Sequence, residues 1–117
     1  MNQARADRVG QALQRELGAM LLTEIKDPRV GFVSVTRVDV ARDLSLARIY
    51  VSVMGGPLAM KESLAGLRSA SPFLRGEAGR RLGLRHAPQL DFRADTSIDD
   101  TLRLYEVMKK LPEVRDD

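Results

Sequence analysis

The chain has 117 residues, of which 44% are hydrophobic and 30% are charged, a composition that suits one soluble globular domain. It contains no cysteine, which excludes disulfides, thiolate nucleophiles and cysteine-ligated zinc. No apolar run approaches the roughly 18 residues that a membrane span needs. The N-terminal MNQARADR lacks the apolar core of a signal peptide, so we expect a cytoplasmic protein. We expect a single domain over residues 1–112 and a short flexible tail over residues 113–117.

The first predicted element is an amphipathic helix from Ala4 to Ile25. Its apolar side chains recur at the spacing of one helix face: Val9, Leu13, Leu17, Met20 and Leu21. The sequence Lys26-Asp27-Pro28 predicts where the helix stops, because the residue before a proline is pushed out of the helical region.

A β-hairpin is predicted next, in the stretch FVSVTRVDVARDLSLARIYVSV. The first strand changes phase between Val35 and Val38, which requires one extra residue and predicts a β-bulge near Thr36-Arg37. The turn is expected over residues 41–45. The second strand places four apolar residues on one face: Ala47, Ile49, Val51 and Val53.

Two helices are predicted after the hairpin, each opened by a proline at its first position. The sequence Gly55-Gly56-Pro57 begins the first, which carries an apolar stripe and runs to about Ser69. The sequence Ala70-Ser71-Pro72 predicts a break, with Ser71 as the cap of the next helix. That helix is expected to end around Gly83.

The remaining segments predict a third strand over Pro88 to Arg93 and a final helix capped by Thr96 or Ser97. The element order is helix–strand–strand–helix–helix–strand. This order predicts an α+β, type II KH-like fold with a three-stranded mixed sheet and an added C-terminal helix. An RNA-recognition motif or an acylphosphatase-like enzyme would begin with a strand.

The stretch RGEAGRR contains Gly76 and Gly79, which formally match the G-x-x-G loop with which KH domains grip a nucleic-acid backbone. Both glycines fall inside the predicted third helix rather than at the break before it. Glu77 would also place a negative charge where a phosphate should lie. We interpret the match as accidental and Gly79 as a close-packing position.

Arginine supplies most of the positive charge, and it is unevenly distributed. Five arginines and one acid lie between Arg68 and His86, whereas acids outnumber bases from Ala87 onward. Since the guanidinium fork suits phosphate oxygens, this pattern favours a polyanion partner. The predicted RNA-binding set is Arg68, Arg75, Arg80, Arg81 and Arg85, joined by Arg5, Arg8 and Arg15 on the first helix. The alternative is solvated charge or ion pairing with the final helix.

Residues suited to catalysis are scarce. The single histidine, His86, is interpreted as a surface residue, and the Asp95, Asp99 and Asp100 cluster is explained by the start of a helix. The sequence has no P-loop, nucleotide-binding glycine fingerprint or metal-ligand spacing. We therefore expect no catalytic residue, no metal and no cofactor.

Several separated motifs, in the same order, resemble the bacterial ribosome-binding factor A family, over about residues 3 to 110. They are Arg5-x-x-Arg8-Val9, IKDPRVG (25–31), VDVARDL (38–44), ARIYVSV (47–53), Phe73-Leu74-Arg75, Leu84-Arg85, Pro88-x-Leu90-x-Phe92 and Asp95-x-Ser97.

The resemblance implies a non-catalytic RNA-binding protein that binds the free small (30S) ribosomal subunit and its 16S ribosomal RNA. It further implies a role in late subunit maturation, processing of the RNA 5′ end and growth in the cold. A ribosome-associated GTPase assists release in some bacteria. We expect a monomer. The alternative is a generic KH-like module that binds other RNA or a protein without preference for the small subunit.

The resemblance also implies that an Ala-x-Gly kink between the second and third helices replaces the KH grip loop. The corresponding residues here are Ala70, Ser71 and Pro72, so the sequence departs from the family pattern at its third position. Glycine permits a kink by tolerating unusual φ, whereas proline restarts a helix. Some family members carry a long C-terminal tail that this chain lacks.

Overall fold

A computed structural model describes residues 3–97 and 108–109. The elements are α1 (Gln3–Thr23), β1 (Val33–Val40), β2 (Leu46–Val53), α2 (Gly56–Leu82) and β3 (Gln89–Ala94). Most of the predicted final helix and the predicted tail over residues 113–117 lie outside the described residues. Met108 and Lys109 are helical.

Helix α1 is amphipathic, as its sequence predicts, although it ends at Thr23 rather than Ile25. Its buried face consists of Ala6, Gly10, Leu13, Leu17 and Met20. Gly10 permits a close approach to the sheet, because a Cβ there would lie 3.2 Å from the carbonyl oxygen of Val38. The helix therefore packs tightly on β1.

The three strands form one mixed sheet in the order β1-β2-β3. Strand β2 is antiparallel to β1 and parallel to β3. The predicted β-bulge is confirmed, because Val35 pairs with Val51 while Arg37 pairs with Tyr50, which leaves Thr36 as the extra residue. Three of the four predicted inner-face residues of β2 are fully buried, namely Ala47, Ile49 and Val51, and Val53 at the end of the strand is half-buried.

The predicted break at Ala70-Ser71-Pro72 is wrong in its secondary structure, since α2 is one helix of 27 residues with Pro72 inside it. Leu67 and Leu74 are both fully buried in the core. Their spacing of seven residues is two helical turns, so a continuous helix buries both against the same sheet. This packing outweighs the tendency of proline to interrupt a helix. Pro72 has no N–H, so the carbonyl of Arg68 has no helical donor at this turn.

Gly76 and Gly79 both lie within α2, which confirms that the G-x-x-G match is not a grip loop. A Cβ on Gly79 would lie 2.9 Å from the Cβ of Ala87, so the predicted close-packing role is confirmed as well. The helix ends at Leu82 and is capped by Gly83, which has φ 63°. Leu84 then donates its N–H to the carbonyl of Gly79, 2.9 Å away, a typical glycine-terminated helix end.

Candidate nucleic-acid interface

Arg81 joins the two helices through a cluster of glutamates. Its guanidinium forms ion pairs with Glu16 on α1 at 3.5 Å, with Glu77 at 3.0 Å and with Glu24 just after α1. Hydrogen bonds from Arg80 and then Arg81 lower the pKa of Glu77 to about 2. The Arg81 side chain is 24% exposed, and its donors are directed to protein carboxylates. This arrangement positions α2 on α1.

Arg68 and Arg75 donate hydrogen bonds to backbone carbonyls on or next to β3. Arg68 Nη2 lies 3.1 Å from the carbonyl oxygen of Phe92. Arg75 donates from Nε and Nη2 to the carbonyl oxygen of Ala87, at 3.1 and 2.9 Å. Both residues are exposed, so each guanidinium is oriented by the fold while part of it still faces solvent.

The other predicted arginines fall into two groups, one with a carboxylate partner and one without. Arg80 pairs with Glu77 but keeps a side chain that is 71% exposed. Arg5, Arg8, Arg15 and Arg85 are exposed, and within residues 3–97 none of them forms an ion pair or a side-chain hydrogen bond. Of the predicted arginines, these four keep the whole guanidinium available to an external anion.

An open pocket of about 490 Å³ brings together arginines from three parts of the chain. Arg5 comes from the first turn of α1, Arg75 from α2, and Arg85 from the loop between α2 and β3. The β1–β2 turn also lines the pocket. The complete lining is Arg5, Asp43, Leu44, Ser45, Arg75, Leu84, Arg85, His86 and Ala87.

The β1–β2 turn is held rigidly at the pocket wall. Asp43 Oδ1 accepts hydrogen bonds from the Ser45 N–H at 3.0 Å and from the Ser45 hydroxyl at 2.6 Å, and these bonds lower the pKa of Asp43. Leu44 adopts φ 62°, a left-handed conformation that costs energy for a side chain of its size. The carbonyl of Ser45 accepts a bond from Gln89 N–H, which ties the turn to β3.

The IKDPRVG segment packs against the middle of α2. Asp27 accepts bonds from the Arg29 guanidinium, at 2.6 Å to Nη2, and from the Arg29 N–H. Arg29 also donates to the Ser69 hydroxyl at 3.1 Å. Gly66 lies directly beneath this loop, since a Cβ there would be 2.6 Å from Val30 Cγ2. The segment therefore has a structural role next to the predicted kink residues.

Ala70 and Ser71 are half-buried in α2, and Pro72 is exposed. They lie more than two turns before Leu82, where the helix ends, but Pro72 precedes the pocket residue Arg75 by only three residues. The predicted kink residues are therefore close to Arg75 on α2, whereas Arg5 and Arg85 reach the pocket from other elements.

The convergence of Arg5 with Arg85 and the presence of Asp43 in the same pocket were missed by the sequence reasoning. Asp43 falls within the predicted turn over residues 41–45, and its hydrogen bonds to Ser45 agree with that position. Local sequence carries no signal for a contact between residues 80 positions apart.

Within the described ranges, no helix has the length and apolarity needed to cross a bilayer.

The element order, the mixed sheet and the arginine-rich end of α2 define a KH-like α+β domain. A family model described as ribosome-binding factor A matches residues 5–108. The chain therefore belongs to the ribosome-binding factor A family. The factor from Desulforamulus reducens is 44% identical over 107 residues, which is 92% of this chain and 89% of that protein.

Solved structures agree with this assignment. A putative ribosome binding factor A from Thermotoga maritima has a TM-score of 0.70 and 33% identity, covering 85% of this chain and 95% of that one. A Thermus thermophilus homology model, fitted into a cryo-electron microscopy map of a 30S complex, has a TM-score of 0.60. It covers 82% of this chain and 97% of that one, and at 24% identity it supports the fold alone.

Proposed function

We propose that this protein is a non-catalytic assembly factor that binds the free small ribosomal subunit through its ribosomal RNA. Membership of the ribosome-binding factor A family supports this function. The structural observation that carries it is the convergence of Arg5, Arg75 and Arg85, from three separate elements, at one end of the domain. A surface built in this way presents several donors to closely spaced phosphates.

The proposed RNA contacts rest on how each arginine is held. Arg5, Arg8, Arg15 and Arg85 contact phosphates directly, since no carboxylate neutralises them within residues 3–97. Arg68, Arg75 and Arg80 extend the surface with the exposed part of each guanidinium. Arg81 contributes mainly by holding α2 against α1. Each phosphate contact adds roughly 0.7 to 0.9 to the salt slope of binding.

Pro72 supports a second contact region at Ala70-Ser71-Pro72, the position that corresponds to the family kink. Because proline lacks an N–H, the carbonyl oxygen of Arg68 is a hydrogen-bond acceptor without its usual helical donor. RNA offers hydroxyl and amino donors that could use such an acceptor. Where the family pattern has a flexible glycine, this chain therefore has a proline that interrupts the helical hydrogen bonding at a fixed position.

Co-sedimentation tests the proposed function. The purified protein is pelleted with free small subunits, large subunits and assembled ribosomes at two salt concentrations. Selective pelleting with free small subunits, weakened by salt, is the expected result. Equal association with all three particles would contradict it and would favour a generic KH-like module that binds polyanions without selectivity.

The maturation role is tested in cells. Loss of the protein should cause a growth defect in the cold and accumulation of ribosomal RNA precursors with an unprocessed 5′ end. This role places the protein in the cytoplasm, with release from the subunit assisted by a ribosome-associated GTPase. Normal 5′ ends in the deletion strain would contradict the processing role while leaving subunit binding intact.

A further inference from the structure

The arginine pocket differs from a simple phosphate site in its chemistry. Three of its residues are cationic, but Asp43 is a carboxylate, which would repel a bare anion. Asp43 Oδ1 is engaged by Ser45, so Oδ2 is the oxygen left to accept a bond from a ligand. Leu44, Leu84 and Ala87 add apolar surface. A matching ligand combines an anionic group, hydrogen-bond donors and an apolar face.

The size of the pocket restricts the ligand further. Its volume of about 490 Å³ falls within the roughly 300–1,000 Å³ of typical small-ligand sites. A single nucleotide fits this range, whereas a double helix does not. Proteins recognise unstacked nucleotides of single-stranded RNA by stacking them on aromatic or arginine planes and by hydrogen bonds to the base edges.

The walls of the pocket are already ordered without a ligand. Arg75 is held by two bonds to the carbonyl of Ala87, and Ala87 packs against Gly79 at a distance that admits no side chain there. The β1–β2 turn is locked by the Asp43–Ser45 bonds. Ordering such groups in advance lowers the entropic cost of binding.

We propose that this pocket binds one unstacked nucleoside phosphate, with the phosphate at Arg5, Arg75 and Arg85 and a base or ribose donor at Asp43. The inference rests on the proposed function, because it assigns a ligand chemistry to part of the same basic surface. The nucleotide is either part of single-stranded RNA or a free nucleotide, and both sources present the same groups to the pocket.

The test is a ¹⁵N NMR titration of the full chain with guanosine monophosphate, inorganic phosphate, guanosine, a short single-stranded RNA and the corresponding duplex. The monophosphate is expected to shift signals of residues 43–45 and 84–87 and to bind more tightly than inorganic phosphate or guanosine. Tighter binding by single-stranded RNA than by the monophosphate identifies RNA as the source, and equal binding identifies the free nucleotide. Duplex RNA should leave the pocket signals unchanged.

Two variants separate the groups without removing contacts that hold the fold. Arg85→Gln should weaken monophosphate binding about tenfold by removing a charge-assisted hydrogen bond. Asp43→Asn keeps an acceptor for Ser45. It should tighten the binding of inorganic phosphate and reduce the preference for the monophosphate over inorganic phosphate. Arg48→Gln is the control, because Arg48 is an exposed arginine on β2 that pairs with Asp91 and does not line the pocket.

Equal affinity for inorganic phosphate and the monophosphate, or shifts located away from the pocket, would overturn the inference. Parallel co-sedimentation distinguishes this failure from failure of the proposed function. Selective small-subunit binding without pocket shifts refutes only the nucleotide site. Pocket shifts without small-subunit selectivity support the nucleotide site and contradict the assembly role.

Discussion

Gly66 and Gly76 lie on the same helix in opposite surroundings, and alanine at each position gives opposite predicted effects. A Cβ on Gly66 would be 2.6 Å from Val30 Cγ2 and 3.4 Å from Arg29 Cβ and Asp27 Cγ. Normal carbon contacts are about 3.5–4.0 Å, so the methyl group must displace Val30 by about 1 Å. A Cβ on Gly76 would meet no atom within 4 Å.

The magnitudes follow from two opposing effects. Alanine gains about 1 kcal/mol over glycine in a helix interior. Overpacking at Gly66 costs about 1–3 kcal/mol, because bonds from Arg29 to Ser69 and from Gly31 to Ser63 restrain the loop. Gly76→Ala should therefore stabilise the protein by about 1 kcal/mol. Gly66→Ala should be less stable than Gly76→Ala by about 1–3 kcal/mol.

Urea unfolding of both variants measures this difference, with an unchanged m-value as the control for an intact fold. If Gly66→Ala stabilises the protein as much as Gly76→Ala does, the loop over residues 27–30 does not pack on α2 and the reasoning is refuted. Gly76→Ala also tests the G-x-x-G interpretation, since an alanine in a true grip loop would abolish RNA binding instead of raising stability.

Three further changes test other parts of the structure. Pro72→Ala restores a helical N–H and should stabilise the protein by about 1–3 kcal/mol in urea unfolding, while weakening small-subunit binding. No gain in stability would contradict the argument that Pro72 costs the continuous helix a hydrogen bond. Arg81→Gln should lower the melting temperature most above pH 4.5, the ordinary Glu77 pKa, with a deficit that narrows toward pH 2 as Glu77 is protonated. A deficit that does not depend on pH would argue against the glutamate cluster. Asp95 has a pKa lowered to about 2 by hydrogen bonds from Thr36 and then Ser97, so its contribution to stability is lost as pH falls from 3.8 toward 2. Asp95→Asn should flatten the stability profile over that range, and an unchanged profile would contradict this role.

Much of the fold could be predicted because it depends on local periodicity. The phase change between Val35 and Val38 predicts the β-bulge from side-chain alternation alone. The break at Pro72 was predicted wrongly because a local proline signal was given more weight than the apolar stripe. The spacing of Leu67 and Leu74 already contained the information for a continuous helix.

The candidate site could be predicted only in part. The basic character of the segment after Arg68 is visible in the sequence, but the partners of each arginine are not. Arg81 meets Glu24 across 57 positions of the chain, and only the packing of α2 on α1 brings them together. The same packing separates Arg81, which is paired, from Arg85, which faces the pocket.

Small-subunit affinity as a function of salt tests the central claim most directly. The comparison uses the wild type, Arg5→Gln/Arg85→Gln and a control, Arg37→Gln/Arg48→Gln. The control removes the same charge from two exposed arginines outside the pocket lining, which pair with Asp39 and Asp91. The pocket variant should bind more weakly with a salt slope shallower by about 1.5, as two lost phosphate contacts require, while the control keeps the wild-type slope. Equal slopes for the two double variants would contradict the claim that these arginines contact the ribosomal RNA.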